Sequence, residues 1–204
     1  MNRSPSRVVA LLGVLIWGWV WAAQPAEKVG IVKGTLTVRG KPAVDAVASI
    51  EGIRQEGAKP TELKKAVMDQ REMKFVPRVL AVRAGTTVEF PNNDKTWHNV
   101  YSASETKNFN LGLYAPKQSR NTVFDKPGVV KILCNVHPQM EAFIVVKPHP
   151  FFAVTEKSGN YQVGSVPLGK YVLEVWHPDF GTRKIPFELV REGQVLALDV
   201  DLKK

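Results

Sequence analysis

Cysteine is almost missing: Cys134 is the only one in 204 residues. A single thiol excludes an intramolecular disulfide, so no covalent staple supports the fold. Basic residues are plentiful, with a formal net charge of +9. Yet no basic run interleaved with aromatics occurs, which leaves nucleic-acid binding without support. There is no glycine-rich loop of the kind that cradles phosphate, and no hydrolytic nucleophile–base constellation. Beyond residue 23 no segment sustains a 3.6-residue apolar period, which excludes a helical bundle. The longest apolar run is about 16 residues, short for a membrane-spanning helix. At 44% hydrophobic the chain can nevertheless build a packed core, which argues against global disorder.

That apolar run is distinct in character. Arg3 and Arg7 precede it, it extends from Val8 to Ala23, and small residues close it at Val20-Trp21-Ala22 and Trp21-Ala22-Ala23. This pattern predicts a signal peptide over residues 1–23, a periplasmic or secreted protein, and no integral membrane span after cleavage, a retained anchor being the alternative. No cysteine follows the run, so a lipid anchor is not expected. Without the first 22 residues the chain keeps 26 basic and 19 acidic side chains, a formal +7. The charge is spread as +3 over 24–66, +3 over 67–146 and +1 over 147–204. A basic surface favours acidic partners. Charge this dispersed in sequence predicts only modest salt dependence of association.

The rest of the chain reads as strands and turns. Val29–Val38 alternates, Arg39-Gly40-Lys41-Pro42 is a turn, and Ala43–Ile50 resumes as the second arm of a hairpin. Residues 51–62 read as a loop and Ala66-Val67-Met68 as a short strand. Pro77 marks an edge strand or a strand start. Thr86–Phe90 is a strand ended by Pro91-Asn92-Asn93-Asp94. Residues 102–119 are polar and predict a long surface connection. Arg120–Phe124, Gly128–Leu133 and Phe143–Val146 are strands, as are Phe151–Thr155, Tyr161–Val163, Tyr171–Trp176 and Val195–Leu202. Pro178-Asp179-Phe180-Gly181 is a turn. Short strands with frequent Gly, Pro and Asn punctuation predict an all-β sandwich.

One stretch concentrates chemistry. In Cys134-Asn135-Val136-His137-Pro138-Gln139-Met140 a thiol, an imidazole and a thioether recur at three-residue spacing. These are soft or borderline donors, and together they suit copper better than a hard cation. In an oxidising compartment an unpaired thiol is either a liability or a working ligand. A His₂Cys set with a weak axial Met needs one more imidazole. His98, just beyond a strand end, supplies it. His98, Cys134 and His137 are therefore the predicted in-plane ligands and Met140 the axial one. A site held by two rigid segments keeps nearly one geometry in both copper oxidation states, which limits reorganisation when an electron moves.

Three spaced segments carry a family resemblance. Gly85-Thr86-Thr87-Val88-Glu89-Phe90 leading to His98-Asn99-Val100 resembles the first-ligand region of cupredoxins. Gly128–Leu133 resembles the glycine-led strand that enters their ligand loop, and Cys134-x-x-His137-x-x-Met140 is similar to the short loop of amicyanin. Val130 and Ile132 depart from the pattern, replacing the aromatics common before the cysteine. The resemblance implies a Greek-key cupredoxin β-sandwich holding one type 1 copper ion, with Asn99 bracing the ligand loop. It further implies an electron carrier rather than an enzyme. Its partner would be a redox protein such as a c-type cytochrome or dehydrogenase, met through an apolar patch around the exposed histidine. Nitrite reductases and multicopper oxidases need further histidine clusters, and only His149 and His177 remain.

A second resemblance lies in the flanks. Gly30–Ile50, Phe151–Thr155, Ser158–Tyr161 and Pro167–Tyr171 look like a carboxypeptidase-regulatory-like, transthyretin-type sandwich. The expected organisation is a signal peptide at 1–23, flanking strands at 24–66, a cupredoxin at 67–146 and returning flanking strands at 147–204, the flanks forming an additional β-sandwich. Two other functions fit these residues: a module that stores or delivers copper, and a scaffolding β-sandwich.

Overall fold

The computed structural model describes residues 28–53 and 65–203, all of them in strands, turns and loops. The expected signal peptide over 1–23 lies outside the described residues, as do positions 54–62 of the predicted loop. Among the described residues there is no helix, hence none long and apolar enough to cross a membrane.

Residues 66–147 form a two-sheet sandwich. The larger sheet runs in the order Lys107–Tyr114, His98–Ser104, Gly128–Leu133, Glu141–Lys147, Val79–Arg83. The smaller one is Ser119–Phe124, Thr86–Pro91, Ala66–Val67. Strand alternation makes their common core. Val88 and Phe90 point inward from one sheet, and Val100, Val130, Ile132, Ala142 and Ile144 from the other. Phe90, Phe109 and Phe124 meet at tilted and edge angles inside it. A buried Phe side chain contributes roughly 1.5–3 kcal/mol. Val79–Arg83, entered just after Pro77, is an edge strand, paired in parallel with Glu141–Lys147.

The flanking segments form a second sandwich with its own core. One sheet is Phe152–Val154, Val47–Glu51, Gly169–His177, Gly181–Leu189. The other centres on Val29–Val38, with Asn160–Pro167 antiparallel on one side and Val195–Ala197 parallel on the other. Leu36, Ile50, Val166, Leu173, Leu189 and Leu202 are fully buried between them.

The two sandwiches abut through the outer faces of two sheets. Alternate residues of Glu141–Lys147 point opposite ways, so Ile144 fills the first core while Val145 packs with Val79 and Val47. Phe143 lies edge-on to Trp176, ring centres 5.5 Å apart. Lys147 is nearly buried here, 2.7 Å from Glu51 and 2.8 Å from Glu174. Arg78 reaches Asp179 at 3.3 Å and Asp45 at 3.6 Å.

Several expectations are corrected. The hairpin from Val29 has an arm of only two residues, Lys41–Pro42, and Val47–Glu51 crosses into the other sheet. Residues 102–119 are no surface connection: His98–Ser104 and Lys107–Tyr114 are a paired hairpin, with Asn108 and Asn110 of its second strand exposed. Gly181–Leu189 is a full strand that the sequence reading passes over, because Arg183 and Lys184 are both exposed and Pro186 breaks the strand pattern in the sequence, though not the pairing itself. Val195–Leu202 is two short strands, Val195–Ala197 and Val200–Asp201.

Candidate metal centre

The centre lies at one end of the first sandwich. Strand Gly128–Leu133 begins at a glycine with φ +140°, where a Cβ would stand 2.8 Å from Thr106 Oγ1. Val130 and Ile132 then point inward, and the same alternation turns Cys134 inward, 3% exposed. Leu133 pairs with Tyr101 on one side and Glu141 on the other, which fastens the strand end before the loop starts. The loop closes by a hydrogen bond from Met140 N to His137 O, 2.9 Å. Pro138 occupies the position of that turn where its fixed φ is favourable. Met140 is then returned to the core beside Cys134.

His98 opens the neighbouring strand and is fully buried. Its Nδ1 lies 3.1 Å from His137 Nδ1 and 4.0 Å from Cys134 Sγ. Ligand atoms of these three residues all lie within 4.8 Å of one another. Among the described residues no other group of three or more His, Cys, Asp or Glu side chains has such spacing. His137 is half-buried and is the member nearest the surface.

A carboxylate stands behind the buried imidazole. His98 Nε2 is 3.0 Å from Asp94 Oδ2. Asp94 also accepts the Met73 and Lys95 amides, both at 2.7 Å. Burial works against its ionisation, but those two amides and His98 hold its carboxyl below the ordinary carboxylate range. An ionised Asp94 takes the proton-bearing Nε2 and leaves the His98 Nδ1 lone pair facing the other donors. The loop presenting Asp94 is tied down by Asn92, whose Nδ2 donates to Thr96 O and Tyr114 O while its Oδ1 accepts from Asp94 N. Tyr114, paired in register with His98, donates its hydroxyl to Phe90 O, and burial pushes that hydroxyl up to about 12.

The predicted residues therefore come together, with differences around them. Asn99 does not reach the ligand loop by a side-chain hydrogen bond. Its Nδ2 donates to Asn110 Oδ1 at 2.8 Å, because the strand irregularity between Asn110 and Leu113 brings that side chain over, and Asn99 Oδ1 is buried without a partner. Trp97, which precedes His98, stands 52% exposed. His149 and His177 are both buried and far from the centre in the fold, His177 bonded to Val44 O at 3.0 Å. Asp94 escapes sequence reading: Pro91-Asn92-Asn93-Asp94 reads only as a strand end, and no spacing rule places its carboxylate under His98.

The donor set fits copper. Two imidazole nitrogens and one thiol sulfur converge in a largely buried site, the Met140 thioether belongs to the same buried cluster as the thiol, and no carboxylate joins the three to favour a hard cation. Comparison with known proteins agrees. Residues 62–147 match the family described as copper binding proteins, plastocyanin/azurin family. The chain is similar to amicyanin-alpha of Methylorubrum extorquens, 28% identical over 105 residues that make up 50% of this chain and 84% of that protein. Among solved structures it resembles a purple cupredoxin from Nitrosopumilus maritimus, at 26% identity and TM-score 0.37, covering 40% of this chain and 99% of that one. It also resembles a copper-containing nitrite reductase from Thermus scotoductus, at 27% identity and TM-score 0.40, covering 46% of this chain and 25% of that one. Residues 62–147 are a cupredoxin of the plastocyanin/azurin copper-binding family, and the cofactor of this chain is one type 1 copper ion.

Proposed function

We propose that this protein is an exported electron carrier in which His98, Cys134 and His137 would hold copper and Met140 would serve as a further, weak donor, with no substrate turnover of its own. The observation that carries the reading is the convergence of two Nδ1 atoms and one Sγ from separate, strand-anchored segments. When bound, copper supplies a one-electron couple between its Cu(II) and Cu(I) states. The chain's own residues do the rest. Asp94 orients His98 and fixes its tautomer. The Tyr101–Leu133–Glu141 pairing keeps Cys134 in place from two sides. Phe90, Val100 and Ile132 keep water from the inner side of the site. His137, half-exposed, is the place where an electron enters or leaves.

The two cores support reading the chain as two domains, the cupredoxin inserted between the halves of the flanking sandwich. Export rests on the apolar start of the sequence and places the protein in the periplasm or outside the cell. The partner on this reading is another exported redox protein, a c-type cytochrome or a dehydrogenase. The test is spectroscopic. The Cu(II) form should absorb intensely in the visible through thiolate-to-copper charge transfer, and Cys134→Ser should abolish the band. A colourless copper-loaded wild type, or a serine variant of unchanged colour, would overturn the assignment.

A further inference from the structure

The end of the sandwich that carries His137 is apolar at its tip and basic at its rim. Met73, Trp97, Leu113 and Val136 expose between 44 and 52% of their surface. All four border the centre. Val136 lies in the ligand loop, Trp97 precedes His98, Leu113 pairs with Asn99, and Met73 Sδ is 3.9 Å from Gln139 Nε2.

Four cations surround this tip. Lys74 lines a groove with Pro138 and Gln139 of the ligand loop. Lys95 follows Asp94 and is exposed. Lys117 donates its backbone N–H to Asn92 O, which puts its turn against the loop that delivers His98. Arg120 bonds the carbonyls of Leu111 and Leu113 and lies over the Tyr114 ring, 5.2 Å from its centre. Of the acids nearby, Asp69 is paired with Arg71 and Glu141 with Lys131 and Arg78, while Asp94, bonded to the His98 imidazole and two backbone amides, lies beneath the tip. Among the described residues at this end, Glu72 alone is an exposed acid outside any ion pair. Four of the ten basic side chains of residues 67–146 are thus gathered by the fold around one spot, against two acids there, Glu72 and Asp94, that no Lys or Arg side chain pairs.

Resting on the copper reading above, we propose that this face docks a redox protein of opposite character: an apolar spot over its own redox centre, ringed by carboxylates. Apolar tips exclude water where the two centres approach. Rim charges steer the encounter, and steering raises association rates about 10–10³-fold while fading as salt screens exposed charge. A partner with a basic rim meets an excess of cations at this rim and is disfavoured.

The test uses the full copper-loaded chain. Its reduced form is oxidised by anionic hexacyanoferrate(III) and by cationic tris(phenanthroline)cobalt(III), from low to moderate ionic strength. A rim variant combines Lys74→Glu, Lys95→Glu and Lys117→Glu. A control variant makes the same charge change far away, with Lys41→Glu, Lys157→Glu and Lys170→Glu. The rim variant should lose about tenfold in the low-salt rate with the anion and gain with the cobalt complex, in line with steering magnitudes. The control should stay within about twofold of wild type, since distant exposed charge is screened. Equal effects of rim and control variants would overturn the docking face and leave the copper reading standing. A colourless protein would overturn the copper reading. The docking face is then judged by NMR of the metal-free chain titrated with poly-glutamate. Shifts confined to residues 72–74, 93–97, 115–118 and 134–139, and lost in the rim variant, uphold it; shifts spread over both sandwiches reject it.

Discussion

Asp94 Oδ2 sits 3.0 Å from His98 Nε2, on the side of the ring away from Cys134 and His137. The carboxylate is anchored by two backbone amides, so it does not swing with the histidine but holds it. Partners of this kind fix ring orientation and raise ligand basicity. Asp94→Ala should therefore weaken copper affinity by about 10–100-fold, with Asp94→Asn in between because an amide oxygen can still accept one N–H. Competition against a copper chelator measures this. Unchanged affinity in Asp94→Ala would remove Asp94 from the site's machinery.

Met140 is 1% exposed and packed in the core with Cys134, held there by the turn from His137. On the copper reading, a buried thioether in that place would be a weak donor whose loss disfavours Cu(II) more than Cu(I). Met140→Leu conserves volume and costs less than about 1.5 kcal/mol as packing. The variant should keep copper and colour while its reduction potential rises. Voltammetry decides the matter, and a leucine variant that binds no copper would make Met140 an equatorial ligand or a residue the loop cannot fold without.

What the sequence discloses and what it hides follow from distance along the chain. Cys134, His137 and Met140 fall within one short loop, so their spacing is visible directly. His98 is visible because a strand end precedes it and its residue type completes the set. Asp94 is hidden, because its role depends on how the turn through Asn92 folds back under the imidazole. The hairpin from His98 to Tyr114 is hidden by its polar outer face, and Gly181–Leu189 by Arg183, Lys184 and Pro186. The parallel pairing of Val29–Val38 with Val195–Ala197 joins segments at opposite ends of the chain, beyond any local pattern. Lys147 lies between two carboxylates, Glu51 and Glu174, that come from segments distant in sequence where the sandwiches meet.

That junction has a pH signature. The facing His149 imidazole, and with it the Lys147 ammonium and the Ser49 hydroxyl, hold the Glu51 carboxyl well below its ordinary 4.5. Lys147 at 2.7 Å has bonding geometry, whereas His149 Nε2 at 3.8 Å is beyond it. A carboxyl depressed in the folded state stabilises fully above its unfolded value, and that contribution drains away as pH falls from there toward the folded value. Unfolding of the metal-free protein should therefore separate wild type from Glu51→Gln at neutral pH, and the gap should narrow as pH drops below 4.5. A gap that stays constant down to strongly acid pH would mean that Glu51 contributes no linked stability.

The last prediction separates the two cores. Every buried member of the cluster around the metal centre, from Met68 to Val146, comes from within residues 66–147. His98, Cys134, His137, Met140 and Asp94 also make their contacts inside that span. The second core mixes Val32–Ile50 with Phe151–Leu202, so removing residues 148–204 destroys it entirely. The removal also uncovers Val79, Val145 and Phe143, which face Val47 and Trp176 across the junction, and leaves Lys147 without Glu174. A chain ending at Lys147 should keep the copper spectrum, because no contact of the site is lost. It should unfold at lower temperature and self-associate, because an apolar sheet face and a coreless amino-terminal segment meet water. Visible absorption and sedimentation on the same sample read both effects. Loss of the copper band in that truncated chain would mean that the sandwiches fold as one unit and that the flanking sheet supports the metal site directly.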